Sequence, residues 1–288
     1  EVGKEGRGCP PEVYWGDCMK NPYQIEGPAV VSFSGGRSSG FMLWNILQAH
    51  GGTLPEDIKV IFCNTGLEHH ETYEFIHRIE ENWCPVIWLE YDLDLDQKQI
   101  FKVVDYGSAS RTGEPFSLLN EKYGRLPNPV HRYCTGKLKI TTNRLFLKSL
   151  GWTEWDACIG LRADEPRRVN RYYNDKKYET PVFPMYEAGH VRNDVNSFWR
   201  KNSFDLRLPH NSNIWGNCVG CHLKGIGKLY SIAEEAPDQL QWWADEEAKH
   251  QNRFRRDRDP YEKIIQGAKN QGSFNFGDED TISCFCTD

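Results

Sequence analysis

The chain has 288 residues, a mass of 33.4 kDa, a formal net charge of −6 and a pI near 5.9. Hydrophobic residues at 39% and aromatics at 13% suffice for one large α/β domain, or such a domain with a smaller appendage; a mean hydropathy of −0.68 points to long polar loops. The acidic balance excludes a chain-wide attraction to nucleic acid, no apolar run reaches the ~20 residues of a membrane span, and residues 1–18 have no apolar stretch of a secretory leader.

Residues 1–28 read as an N-terminal extension. Ala29 to Phe33 then form a short apolar run, the pattern of a buried parallel strand. It breaks into Ser34-Gly35-Gly36-Arg37-Ser38-Ser39, and a helical pattern follows with Phe41, Met42, Leu43, Ile46 and Leu47. Strand, glycine turn and helix together make a phosphate cradle: the glycines let the backbone bend close to an anion, and the free N–H groups of the first helical turn point at it. Ser34, Ser38 and Ser39 add hydroxyls and Arg37 adds charge. The chain contains no G-x-x-x-x-G-K-[ST] string, so this is not a Walker loop.

Ile58 to Phe62 predicts a second strand ending in Asn64-Thr65-Gly66, followed by a helix over Glu71 to Trp83 and a third strand over Val86 to Leu89. The stretch 91–133 is less regular and reads as a lid or an insertion. A basic amphipathic helix is expected over Gly136 to Leu150, and a further strand over Trp155 to Leu161. The β-α-β-α order implies a doubly wound, mainly parallel α/β sheet over 29–165, with ligands at the C-terminal strand ends. Residues 166–288 form a region rich in Cys and Arg, with one helix expected over 228–250.

Ten cysteines stand at positions 9, 18, 63, 84, 134, 158, 218, 221, 284 and 286. A long chain without a leader and with a nucleotide motif fits a reducing, cytoplasmic setting better than a disulfide framework. Cys63, Cys84 and Cys158 lie in apolar stretches and read as inert core residues. Cys218-Val219-Gly220-Cys221 is a C-x-x-C, which taken alone fits a redox pair, half a zinc site or part of an iron–sulfur site. His222 beside it reads as a solvated loop histidine rather than a ligand. Arg253, Arg255, Arg256 and Arg258, near Trp242, Trp243 and Phe254, fit either a polynucleotide contact or a solvated helix end.

The S-G-G-x-S-S string after an apolar strand resembles the pyrophosphate loop of the adenine-nucleotide alpha-hydrolase superfamily: ATP pyrophosphatases, tRNA thiolation enzymes and phosphoadenosine phosphosulfate (PAPS) reductases. Ser38 stands where the strict pyrophosphatases carry an Asp that helps hold Mg²⁺, which leans the match toward the PAPS reductase branch. Phe62-Cys63-Asn64-Thr65-Gly66-Leu67-Glu68 with Glu71-Thr72 is similar to that family's F-x-[DN]-T-G-x-E segment. The resemblance implies that Asn64, Thr65 and Gly66 seat adenosine and that Glu68 orients the substrate. Ile159 to Arg168 is similar to a G-x-R-x-x-E-S-x-R segment, with Pro166 in place of Ser. There Gly160 allows close approach, and Arg162 and Arg168 reach phosphate or sulfate.

Iron–sulfur members of the family carry a Cys-Cys pair before their C-x-x-C. Here Cys134 is followed by Thr135, so Cys134, Cys218 and Cys221 would need Cys284 or Cys286 to complete four thiolates for a [4Fe–4S] cluster, or alternatively for Zn²⁺. The catalytic Glu-Cys-Gly-x-His tail of assimilatory PAPS reductases is absent. The resemblance therefore implies an ATP pyrophosphatase, with Arg37, Arg162 and Arg168 as catalytic groups, that adenylylates an acceptor for sulfur transfer. The resemblance leaves the acceptor open between nucleic acid, as in DNA phosphorothioation or tRNA thiolation, and a small molecule, and implies a cysteine desulfurase or its equivalent as sulfur donor. The alternatives are a PAPS or APS reductase, and a non-catalytic nucleotide-binding subunit with structural zinc.

Overall fold

The computed structural model describes residues 21–93, 100–172 and 178–270. Strand β1 (Ala29–Ser32) is apolar and buried over its first three residues because it is sandwiched between two parallel neighbours, β2 (Ile58–Asn64) and β5 (Trp155–Ile159). Strand β3 (Ile87–Tyr91) extends the sheet in parallel beyond β2, and β4 (Phe101–Val104) closes that edge antiparallel. On the other side β6 (Glu179–Val182) pairs in parallel with β5. The six-stranded order is β4-β3-β2-β1-β5-β6. The chain runs outward from β1 through β2 and β3, then returns to the opposite side of β1, so the switch of direction lies between β1 and β5. A crevice opens at such a point, beyond the strand ends.

The helices are α1 (Arg37–Ala49), α2 (His70–Asn82), α3 (Glu114–Tyr123), α4 (Thr142–Ser149), α5 (Pro166–Arg171), α6 (Pro184–Glu187), α7 (Arg192–Trp199), α8 (Ile226–Glu235), α9 (Gln241–Lys249) and α10 (Tyr261–Asn270). Helix α2 starts where expected because His69 caps it, its Nδ1 accepting from the Glu71 N–H at 3.2 Å. The main core joins Val31 and Phe62 of the sheet to Phe75 of α2, Trp199 of α7 and Trp243 of α9. On the other face Val30, Ile61 and Leu89 pack with Phe146 and Leu147 of α4. No helix among the described residues is long and apolar enough to cross a membrane.

Two expected helices come out differently. The one over Gly136 to Leu150 opens as a π-helix, Thr135–Thr141, before becoming α4. The Thr141 and Thr142 hydroxyls each donate at 2.8 Å to the carbonyl five residues back, on Gly136 and Lys137, which favours the wider turn. The helix over 228–250 is interrupted at Pro237. Ala236 before it is held out of helical geometry (φ −146°, ψ 73°), and a short 3-10 turn, Pro237–Leu240, separates α8 from α9. The irregular stretch 91–133 contains β4 and α3, the latter flanked by Gly113 and Gly124, both at positive φ.

Cys158 is buried, as expected, whereas Cys63 and Cys84 are only partly so. Burial pushes the Cys63 and Cys84 thiols up to about 12 and raises that of Cys158 too, so all three are poor nucleophiles at neutral pH.

Candidate functional site

The turn after β1 is built by two residues in different ways. Gly35 sits at φ +75°, and a Cβ there would lie 2.7 Å from Thr72 Cγ2 and 2.9 Å from Ile76 Cδ1. Only glycine meets both conditions. Gly36 is the N-cap of α1 in extended backbone (φ −98°, ψ 162°), open to any residue, so the strict glycine requirement falls on Gly35. Ser39 is fully buried and works inside the loop: its Oγ accepts from the Ser34 N–H at 3.2 Å and donates to the Gly36 carbonyl at 2.9 Å, and the Ser34 hydroxyl lies 2.9 Å from it. Ser34, Gly35, Gly36, Arg37 and Ser38 line a cavity of about 670 Å³. The unsatisfied N–H groups at the start of α1 and its positive dipole end lie at that wall.

Two arginines converge on the loop. Arg37 makes a two-pronged ion pair with Asp205, Nε to Oδ1 at 2.8 Å and Nη2 to Oδ2 at 2.5 Å. Arg162, buried on the loop after β5, donates to Ser38 Oγ at 2.9 Å and pairs with Asp164 at 2.9 Å and Glu165 at 3.3 Å. It reaches the loop because Gly160 lets β5 come close: a Cβ there would lie 3.1 Å from Ser39 Cα. Arg168 pairs with Glu165 and is not among the cavity-lining residues. Of the three expected catalytic arginines, the cavity therefore takes in Arg37 and Arg162.

Ser38, which stands where the strict pyrophosphatases carry their magnesium-holding Asp, accepts from a guanidinium, and the nearby Asp164 and Asp205 are already paired with arginine. Among the described residues no three His, Cys, Asp or Glu side chains gather as a metal-holding group. The donor set beside the loop does not fit a protein-held Mg²⁺.

The Asn64-Thr65-Gly66 turn is a closed network. Asn64 is buried, donating to Glu90 at 2.6 Å and the Ser110 carbonyl at 2.8 Å while accepting from Gly66 N and Tyr73 OH. Glu68 does not face the cavity. Its carboxylate accepts from Thr65 N, Thr65 Oγ1, Leu67 N and Tyr73 OH, so it builds the turn rather than orienting a substrate. Burial and the adjacent Glu68 raise the Tyr73 hydroxyl, which stays protonated as the donor this network needs.

The C-x-x-C docks on that turn. Cys218 bridges Glu68 across an isolated antiparallel pairing, Val219 N donates to the Leu67 carbonyl at 2.8 Å, and Cys218 Sγ lies 3.3 Å from Thr65 Oγ1. The buried Lys224 fixes the segment from behind, its Nζ donating to the carbonyls of Gly216 (2.9 Å), Cys218 (3.1 Å) and Val219 (2.8 Å). His222, expected in solvent, is 1% exposed and stacks on Phe254. Cys134, Cys218 and Cys221 do not assemble a metal-holding group as described, and Cys284 and Cys286 lie outside the described residues.

The basic segment after α9 divides: Arg253 and Arg256 are exposed, whereas the other two arginines are engaged within the fold. Arg255 pairs with Asp257, and Arg258 donates to the Lys224 carbonyl and Tyr261 OH. Trp243 and Phe254 are core residues, which leaves them no face for stacking a base.

Sequence reasoning missed the far wall of the cavity: Arg192, Asn193, Asn196 and Arg200 of α7 and its C-cap, with Asn211, Ser212, Asn213 and Asn217 from the loops beyond. These residues form no motif. The one available signal was the spacing of Arg192, Asn196 and Arg200, which puts three donors on one helix face.

Residues 28–186 match the phosphoadenosine phosphosulfate reductase domain family. The chain belongs to that family. It is 29% identical over 208 residues to the uncharacterized nin region protein ORF290 of Escherichia phage lambda, covering 69% of this chain and 67% of that one. It is 24% identical over 233 residues to an uncharacterized protein of Methanocaldococcus jannaschii, covering 78% of this chain but only 42% of that longer protein. Among solved structures, phosphoadenylyl-sulfate (PAPS) reductase from Candida auris, in a phosphate complex, aligns with a TM-score of 0.39 at 14% identity, over 65% of this chain and 82% of that one.

Proposed function

We propose that this PAPS reductase-family chain is an ATP pyrophosphatase that adenylylates an acceptor for sulfur transfer, the acceptor being a nucleic acid. The observation that carries the reading is the loop Ser34–Ser38 at the N-terminus of α1, opening on a roughly 670 Å³ cavity with Arg162 hydrogen-bonded to Ser38. Loop N–H groups hold the leaving pyrophosphate while an acceptor oxygen attacks the α-phosphorus. The bond to pyrophosphate breaks, pyrophosphate departs and AMP stays on the acceptor. The chain's own contribution is to position the groups and stabilise charge on the phosphate oxygens. Because Arg37 and Arg162 are held by carboxylates, their guanidiniums are already oriented before the ligand arrives. Magnesium enters bound to the triphosphate, and the sulfur comes from a separate donor such as a cysteine desulfurase.

Family membership favours a second reading, reduction of PAPS or adenosine phosphosulfate. One experiment separates the two. Incubation with ATP and a nucleic-acid acceptor should yield pyrophosphate and acceptor-bound AMP, which a sulfur donor then displaces as free AMP, and ADP as the main product would remove the proposal. Thioredoxin-dependent sulfite release from PAPS would establish the second reading instead.

A further inference from the structure

The basic segment after α9 and the loop before the π-helix meet around one buried histidine. Phe254 is fully buried, and the Glu247 carboxylate anchors the segment by accepting from the Phe254 N–H at 3.0 Å and the Tyr261 N–H at 2.9 Å. Arg258 ties the far end, donating to the Lys224 carbonyl at 2.8 Å and the Tyr261 hydroxyl at 3.0 Å. With these contacts turned inward, Arg253 and Arg256 stand exposed. His222 stacks on the Phe254 ring, centroids 5.7 Å apart. Burial, then Arg258, Arg132 and Arg255, depresses this imidazole to about 3, and the Asn128 backbone adjoins it. Loop 128–131 therefore lies against segment 253–258. Asn128 fixes that loop, its Oδ1 accepting from the Val130 N–H at 3.0 Å and the His131 N–H at 2.8 Å, and Val130 stands 83% exposed.

Five guanidiniums, those of Arg132, Arg253, Arg255, Arg256 and Arg258, thus share one region with the carboxylates of Asp257 and Asp259, and Asp257 is paired to Arg255. The chain as a whole carries a net charge of −6. Like charges gathered in one place repel, and exposed arginines contribute little to folding, so the cluster is unfavourable until an anion covers it. The geometry points to this surface as the docking site of the nucleic-acid acceptor, held through its phosphodiester backbone with Val130 against a sugar or base. This role rests on the acceptor being a nucleic acid, as proposed above. A polyanion fits better than a small anion because the arginines come from two chain segments and none of them lines the loop cavity. Arginine suits phosphate, whose oxygens take its planar fork in two bonds. Contacts to the backbone hold a strand in place without reading its sequence.

Fluorescence anisotropy tests the docking, with the whole protein titrated into a short labelled DNA duplex, its single strand and an RNA of the same sequence. The unmodified protein should bind at least one of them, with an affinity that falls as salt rises. Arg253→Gln/Arg256→Gln, whose fold is checked by circular dichroism, should bind that probe about tenfold more weakly, and the slope of log K against log salt should shrink by about 1–2. Lys148→Gln/Arg171→Gln removes the same charge from exposed positions on α4 and α5 and should keep the affinity within about twofold. The probe bound tightest tells duplex, single strand and RNA apart. No binding of any probe, unchanged affinity in the first variant, or equal loss in both variants overturns the docking surface. Equally tight binding of labelled polyglutamate also overturns it and assigns the arginines to an acidic protein. Pyrophosphate release from ATP is followed in parallel. Absent release with binding that depends on Arg253 and Arg256 removes the ATP reading and leaves a polynucleotide-binding surface. Release that the oligonucleotide stimulates equally in the first variant and the unmodified protein does the reverse.

Discussion

The loop wall and the α7 wall face the same cavity but are made in opposite ways. The first is local: strand, turn and helix lie within residues 29–49, and each cation on it is matched by an acid. The second is assembled from residues 192–217, far along the chain, and leaves its arginines without acidic partners. Paired cations are rigid and serve the fold as well as the ligand. Unpaired cations add nothing to folding and retain their charge for whatever binds. Mutations on the two walls should therefore separate stability from affinity.

The largest effect is expected at Arg162. Replacing it with Gln leaves Asp164 without its cation and Glu165 with Arg168 alone, and removes the donor to Ser38. Loss of about 3 kcal/mol in urea unfolding, together with lost nucleotide binding, is the expected outcome. A stable variant with unchanged affinity would break the comparison on the loop side. Next comes Gly35→Ala. Positive φ and the Thr72 contact should together cost about 1–3 kcal/mol and block phosphate binding, whereas Gly36→Ala should leave thermal stability within about 0.5 kcal/mol. If the two alanine variants behaved alike, Gly35 would not be the structural hinge of the loop.

A pH scan sharpens the picture at the turn that carries Cys218. Burial, then His70 and Lys224, lowers His69 to about 4 from 6.5. The unfolded chain takes up this proton first as pH falls. The contribution of His69 to stability is thus complete above about pH 6.5 and is lost progressively down to about pH 4. The buried His222, lowered to about 3, adds in the same sense. His69→Gln should flatten the fall in melting temperature between pH 6.5 and 4.5; an unchanged slope would remove His69 from the account. The smallest effect belongs to the solvent side of the basic segment. Arg255→Ala breaks a pair with the exposed Asp257, and less than about 1 kcal/mol is expected from that pair in the same urea assay.

These contrasts also explain what could be read in advance. The sheet and the loop were legible because their signals are short-range: an apolar run fixes β1, and a glycine turn followed by helical spacing fixes α1. Arg162 and Gly160 were legible through a motif, though not the carboxylates that hold Arg162. The π-turn after Cys134 depends on two threonine hydroxyls bonding backwards, which helical periodicity does not record. The role of Glu68 was misjudged because its partners, Tyr73 and the turn's own N–H groups, meet it only once the chain has folded. His222 was placed in solvent because Phe254, the ring that covers it, lies 32 positions away. The α7 wall has no local signature, since only tertiary folding brings it opposite the loop.

Trp199 carries a consequence of its own. Its indole N–H donates to the Arg37 carbonyl at 2.9 Å, and its ring fills the space where a side chain on Gly40 would stand, 2.8 Å from Cζ2. Residue 40 and residue 199 are therefore bound to change together in descent: a lineage that replaces the tryptophan frees position 40 to vary, and one that places even a methyl at 40 must first give up the indole. Comparing these two columns across relatives should thus identify which of them keep α7 on the first turn of α1, and so which keep a cavity of this shape.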